Sequence, residues 1–356
     1  MDFTFTEEQR MMARALSELL DDVCTPAAVR AAANSESAKS ERTARWSRLS
    51  EMGLTGVLAP EAAGGLGLRD IDFVLLAEEA GRVALPEMLI EHAGVAATML
   101  ASLADDRRAT DALRQAASGD ARIAVVHPTN PFAMAAQDAD LILLAAGEDV
   151  HLASRQQVRL EELESLDPLR PLGVVSFEPT QETRIASGAA ACAAWASARE
   201  RGALYSAAEM LGLAARLISM AVEYTAQRQQ FGKALGSYQA VKHHLANAQV
   251  KLEFARPVVY AAAALLDDDT DRARILVSHA KLAASDAADF AARMAMQVHG
   301  AMGYSWEVDL HFFMKRAFVL AGWYGDRNHH MRRVQSLIFS DRLAIGPEFT
   351  FEREQV

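Results

Sequence analysis

Val241-Lys242-His243-His244-Leu245-Ala246-Asn247-Ala248-Gln249-Val250-Lys251-Leu252 places Val241, Leu245, Ala248 and Leu252 at steps of four, three and four, and the series continues through Ala255, Val259, Ala262 and Leu266. A strand would bring alternate residues to one face, so this spacing specifies a helix with a single apolar stripe. The same steps recur upstream in Leu204, Ala208, Leu211, Ala215, Ile218 and Val222, and downstream in Leu276, Ala280, Ala283, Ala287, Phe290 and Met294. Three long helices with such seams, plus a fourth from about Lys315, predict a four-helix bundle over residues 187–356. The many alanines on the seams allow close helix approach. Pro257 is expected to kink the second helix by removing a backbone donor.

Residues upstream of the bundle change character twice. Residues 119–186 contain Arg122-Ile123-Ala124-Val125-Val126, Asp140-Leu141-Ile142-Leu143-Leu144 and Leu172-Gly173-Val174-Val175-Ser176-Phe177, short β-rich runs bounded by Pro, Gly or Asp. They predict a small β middle domain whose edges are confined by Pro168, Pro171 and Pro179. Residues 1–118 read as a helical N-terminal domain. Thr6-Glu7-Glu8 is a helix start with acid in its first turn, and Met11, Ala15, Leu16, Leu19 and Leu20 form its apolar face. A Ser-rich stretch at 34–43 leads into a helix carrying Trp46, Leu49 and Met52, and Gly53 stops it. Pro60 to Gly67 is a Gly-rich loop without GxGxxG spacing or a Walker Lys, so it reads as a structural connection before a helix through Phe73, Leu76, Ala80 and Arg82. The expected fold class is mainly α, with two helical domains flanking a small β domain.

Composition excludes several functions. Lys+Arg is 36 against Asp+Glu 47, a formal net charge of −11, which argues against nucleic-acid binding by phosphate neutralisation. An anionic ligand therefore needs a local basic site, which gives weight to any Arg beside a pocket. Cys24 and Cys192 are too few for a disulfide scaffold or a zinc site. The first residues carry no basic-then-apolar signal, and no uncharged apolar run reaches the length of a membrane span; a cytoplasmic protein is the expectation. HExxH, GxSxG, Walker A, EF-hand and CxxC motifs are absent. His243-His244 and His329-His330 are helix neighbours pointing about 100° apart, which suits solvated or capping histidines better than a metal pair. Two segments remain. Arg228-Gln229-Gln230-Phe231-Gly232 lies between long helices, and Gln297-Val298-His299-Gly300-Ala301-Met302-Gly303-Tyr304 ends the third in small residues. Together they offer an Arg for a pyrophosphate, a ring for a purine and amides for ribose or carbonyl edges. Gly300 suits a helix C-cap.

These residues resemble, in order and over nearly the whole chain, the acyl-CoA dehydrogenase family. The matching positions are Phe5-Thr6-Glu7-Glu8-Gln9; Gly53-Leu54 with Pro60, Gly64-Gly65 and Gly67; Glu78-Glu79 with Gly81-Arg82; Tyr224 with Arg228-x-x-Phe231-Gly232; Gln239; and Gln297-x-x-Gly300. The resemblance implies FAD and α,β-desaturation of an acyl-CoA thioester, with electrons passed to an electron-transfer flavoprotein or a similar acceptor. In the family these bundle segments grip the ADP half of an FAD whose ring lies in a neighbouring protomer. By position, Arg228, Gln230, Phe231, Leu235, Tyr238, Gln297 and Gly300 are the residues expected to do so here.

Two departures shape the expectation. Where many members carry the catalytic Glu, this chain has Trp323-Tyr324-Gly325-Asp326, with Tyr324 in the Glu position and Asp326 where the family has a Thr near the cofactor phosphates. A Tyr of pKa about 10 is a poor base for an α-proton. The alternative base position of the family falls at Gly202, with Glu200 and Glu209 near but not matching, so no catalytic residue is assigned. The family's flavin-side signature is also missing, its nearest counterpart being His127-Pro128-Thr129-Asn130-Pro131. The chain thus resembles the reduced subunit of heteromeric actinobacterial acyl-CoA dehydrogenases acting on steroid side chains. Such a subunit would form a heterotetramer with a larger one that supplies the base. A self-sufficient homo-oligomer using Asp326, Glu209 or another acid, and a non-catalytic assembly or regulatory paralogue, are the alternatives.

Overall fold

Helix α1 (Glu7–Val23) starts at a capping box. The Thr6 hydroxyl accepts from the Gln9 N–H at 3.2 Å, and the Gln9 side-chain oxygen accepts from the Thr6 N–H at 2.8 Å, so two donors of the first turn are satisfied reciprocally. The computed structural model describes residues 4–33, 38–268 and 270–340. Helix α2 (Pro26–Ala32) is too short to show a stripe in the sequence. Helix α3 (Ala38–Glu51) begins inside the Ser-rich stretch expected to lead into it, while residues 34–37 of that stretch lie outside the described residues. Helix α4 (Asp70–Arg82) follows the Gly-rich loop; a π-helical stretch Ile90–Ala96 then runs into α5 (Ala97–Ser102), and α6 (Arg107–Ser118) comes next.

Seven strands occupy the middle of the chain: β1 (Ile123–Val126), β2 (Phe132–Met134), β3 (Leu141–Ala146), β4 (Asp149–Ser154), β5 (Val158–Leu163), β6 (Leu172–Phe177) and β7 (Arg184–Ala186). The apolar runs predicted β1, β3 and β6. The other four escape that reading because β2 and β7 have three residues each and β4 and β5 carry charged or polar side chains at alternate positions. The sheets run β1-β3-β4-β7 and β2-β6-β5, antiparallel except for the β1–β3 pair.

The chain forms two compact units. One takes its described residues from Ser17–Phe73 and Ala84–Tyr205. Trp46, Met88, Ile142, Leu144, Ala153 and Val158 share its core. His92 joins helix to sheet there: the Ile123 N–H donates to Nδ1 at 3.1 Å, which leaves Nε2 to donate to the Ala116 carbonyl at 3.0 Å. Both contacts require the neutral ring, and burial lowers its pKa to about 4.

The other unit takes its described residues from Met1–Leu16, Val74–Val83 and Ser206–Val356. It holds the C-terminal part of α7 (Gly188–Gln227), then α8 (Gln239–Leu265), α9 (Asp271–His299), α10 (Leu310–Gly322) and α11 (Arg327–Ile338). By length and composition α7 could cross a membrane, yet 72% of its most apolar window is buried, as in a core helix. The fourth bundle helix begins at Leu310, earlier than Lys315, and α11 is an addition to the expected four. α8 runs as one helix through Pro257, which sits on its exposed side. Its predicted seam is buried from Leu245 to Leu266. The α7 seam ends before Val222, which is exposed.

The α9 seam needs correcting too. Leu276, Ala283, Phe290 and Met294 are only partly covered, and the buried stripe runs through Ala273, Val277, Ala284, Ala288, Ala291 and Ala295. α9 packs against α8, α10 and α11, and a helix covered on several sides has no single seam to read. Two glycines let α4 and α7 touch backbone to backbone. A Cβ on Gly81 would lie 2.0 Å from the Glu209 carbonyl oxygen, and one on Gly212 would lie 1.9 Å from that of Glu78.

Candidate cofactor half-site

Arg228 is the first residue beyond α7, and its N–H donates to the Tyr224 carbonyl at 2.8 Å, closing the last turn. The chain then folds into a two-residue hairpin, β8 (Gln229–Gln230) against β9 (Lys233–Ala234). Phe231 and Gly232 both take positive φ, +52° and +82°, which the turn of a right-twisted hairpin requires. Gly accepts this freely, whereas a Phe costs about 1–2 kcal/mol there. Neighbouring groups hold the strained backbone of the turn in place. The Tyr238 hydroxyl lies 3.3 and 3.2 Å from the Gln230 and Phe231 carbonyls, the Lys233 ammonium sits 4.2 Å over the Tyr238 ring, and the Leu235 N–H donates to the Arg228 carbonyl at 2.8 Å. Phe231 is 88% exposed, and Arg228 and Gln230 also face solvent; Leu235 and Tyr238 are half-buried. Helix α8 begins at once, with no side-chain cap from Tyr238, so the hairpin adjoins its free N-terminal amides.

Gln297 lies in the last turn of α9, exposed, and Gly300 ends the helix with φ +59° and ψ −137°, a conformation suited to glycine alone. Nothing lies within 4 Å of the position a Gly300 Cβ would take, so the backbone there is open to a ligand. A ring stack joins this end to the end of α7: the Tyr224 and His299 rings lie with centroids 4.2 Å apart at 19°. The structure therefore gathers Arg228, the hairpin, Gln297 and Gly300 around neighbouring helix ends.

The turn holding Tyr324 is built differently. Tyr324 is 1% exposed and takes φ +57°. Lys281, fully buried on α9, donates to the Leu320 and Trp323 carbonyls at 2.5 and 2.8 Å, capping α10. His330 lies buried against Ser278 at 3.2 Å and hydrogen-bonds the Tyr324 backbone. The expectation that the His329-His330 pair is solvated or capping thus fails at His330, because α11 folds back on α9. Desolvation lowers the Lys281 pKa to about 7, against the pull of the Glu209 carboxylate. Glu209 itself pairs with Arg316 at 2.9 Å, both fully buried. Asp326 caps α11, accepting from the His329 N–H at 2.7 Å. The helix spacing gave no sign of Lys281, Glu209 or Arg316 as a buried set; an ionisable residue falling on an apolar face was the only available signal.

In the sheet-bearing unit, His127 also spends both ring nitrogens internally. The Thr129 N–H donates to Nδ1 at 3.1 Å, and Nε2 donates to the Trp195 carbonyl at 2.9 Å. Asn130 is buried. Glu200 is buried beside Arg199 at 3.3 Å. Among the described residues no group of three or more His, Cys, Asp or Glu could hold a metal ion.

Two family models match: the N-terminal domain of acyl-CoA dehydrogenases over residues 6–120, and the C-terminal domain over 191–338. The chain belongs to the acyl-CoA dehydrogenase family, whose cofactor is FAD. It is 31% identical to acyl-CoA dehydrogenase IpdE2 of Mycobacterium tuberculosis over 334 residues, covering 94% of this chain and 98% of that protein. Among solved structures, the ChsE4-ChsE5 complex from Mycobacterium tuberculosis superposes with a TM-score of 0.83 at 23% identity, over 95% of this chain and 99% of that one. A structure described as the Tcur3481-Tcur3483 steroid ACAD gives 0.79 at 23%, over 93% and 98%. The mainly α fold with its small β region is therefore that of the family.

The side chains at the bundle end suit the nucleotide part of FAD. Arg228 supplies a planar cation, the α8 N-terminus adds unpaired amides, Gln297 an amide, and Gly300 an open backbone.

Proposed function

We propose that this chain completes an FAD site on a larger acyl-CoA dehydrogenase subunit and that the larger subunit supplies the catalytic carboxylate. Together they would desaturate an acyl-CoA thioester between Cα and Cβ, with a steroid side chain as the acyl group. The observation that carries this reading is the contrast at two family positions: the nucleotide-end residues face solvent around an 88% exposed Phe231, while Tyr324, in the Glu position, is sealed. Support for a protein partner comes from Val222, Val250 and Phe254, apolar side chains left exposed on α7 and α8, and from solved relatives described as two-component complexes. The steroid assignment draws on the description of one such neighbour as a steroid ACAD.

In this reading Arg228 neutralises the diphosphate, with the α8 amides adding positive potential. Gln230 and Gln297 would meet polar edges, and the hairpin would offer the Phe231 ring to the adenine, with Leu235 and Tyr238 following it in the chain. Gly300 permits close backbone approach. When bound, FAD would supply the hydride acceptor, and an electron-transfer flavoprotein or similar acceptor would take the electrons from the complex. None of this chain's carboxylates is assigned to the α-proton: Glu209 is committed to Arg316 and Asp326 to its helix cap.

The test is co-expression with a dehydrogenase subunit encoded beside it, followed by an absorbance spectrum. A yellow complex, with this chain colourless alone, is expected. A chain that is yellow alone and bleaches with an acyl-CoA overturns the proposal in favour of a self-sufficient enzyme. A complex that stays colourless with FAD added overturns it in favour of an assembly role.

A further inference from the structure

We infer that the Tyr224–His299 stack is the positioning device of this half-site, holding Arg228 at the end of α7 in register with Gln297 and Gly300 at the end of α9. The inference rests on the reading that this end of the bundle receives the FAD nucleotide. Each ring lies four residues or fewer from the groups it would position: Tyr224 accepts the Arg228 N–H through its carbonyl, and His299 directly precedes Gly300. The rings are nearly parallel, 19° apart with centroids at 4.2 Å, so a slide or rotation of either helix end separates them.

The imidazole is itself fixed. Nδ1 lies 2.7 Å from the Ala295 carbonyl, which can only accept, so Nδ1 carries the proton. Burial favours the neutral ring. A neutral, hydrogen-bonded ring gives a flat face without the charge that would repel Arg228. Neither side chain needs to touch the cofactor. Their work is to keep two separate contact groups, contributed by helices far apart in sequence, at one spacing, which limits the entropy lost when a rigid diphosphate bridges them.

The test uses the co-purified complex, stripped of flavin and titrated separately with FAD and FMN. FMN carries the isoalloxazine and one phosphate but lacks the AMP portion, so it reports the partner's ring site without the full nucleotide contact. His299→Ala and Tyr224→Leu are expected to weaken FAD about three- to tenfold and leave FMN unchanged, with His299→Phe restoring FAD affinity by keeping a stacking face. FAD affinity unchanged in both disrupting variants, an equal loss of FAD and FMN, or no rescue by Phe would each overturn the inference. If His299→Ala fails to fold, the half-buried Tyr224 variant decides. Arg228→Ala separates the two levels: if it leaves FAD affinity intact the half-site reading itself falls, whereas an Arg228 effect without a His299 effect removes only the positioning role.

Discussion

At the end of the bundle, Arg228, Gln297 and Phe231 stand in solvent on a strained hairpin and a helix terminus. Around α10 and the turn after it, Glu209, Arg316, Lys281 and His330 are enclosed, and Tyr324 is buried in the turn itself. Both regions are polar, and both fall where the family resemblance places function. Their surroundings separate them. An exposed cation keeps its hydration and stays available for a ligand, whereas a buried ion pair is already spent on its partner and on capping a helix. Residue type at a family position is thus a weaker guide to chemistry than whether the position still reaches a ligand.

The contrast can be broken most sharply from the buried side. Arg316→Met should destabilise the full chain by about 3–5 kcal/mol in urea unfolding, because it strands the Glu209 carboxylate. The double variant Glu209→Leu/Arg316→Met should recover most of that loss; no recovery would mean the residues do not act as a pair. On the exposed side, Arg228→Ala should cost about 1.5–3 kcal/mol of FAD affinity, roughly ten- to a hundredfold, and leave the unfolding midpoint of the chain unchanged.

Acid should discriminate next. Burial lowers the pKa of His92 and His127 to about 4 and of His330 to about 3, so the unfolded chain binds protons that the folded one refuses. The stability these neutral rings contribute is complete above pH 6.5 and is lost as the pH falls toward those values. His330→Asn should make the fall shallower by up to about 1.4 kcal/mol per pH unit; an unchanged slope would show that His330 is already charged in the fold. The smallest effect belongs to Asp326→Ala, a lost helix cap worth about 1 kcal/mol, with no change in FAD affinity. A tighter FAD complex in that variant would instead mean that the carboxylate faces the cofactor phosphates.

Periodicity made α8 legible almost residue by residue, because one face packs and the other does not. The same logic misled on α9, where Leu276 and Phe290 are half-covered and alanines hold the centre. Short or charged strands such as β2 and β5 carry too little apolar pattern to be seen singly. At the candidate site, Arg228, Phe231 and Gln297 were readable through their family spacing, and the structure places them at neighbouring helix ends. His299 and Lys281 were not, since nothing in a helical repeat says which helix will face them.

Tyr324 sits at positive φ with its turn pinned by Lys281 and His330. A glutamate placed at that position would be buried in the same turn, where loss of hydration disfavours the charged carboxylate. Exposing such a carboxylate therefore needs the turn and the side chains that hold it, Lys281 among them, to change together. Packing thus ties the chemistry open to position 324 to the residues around it, so that no single substitution there acts alone.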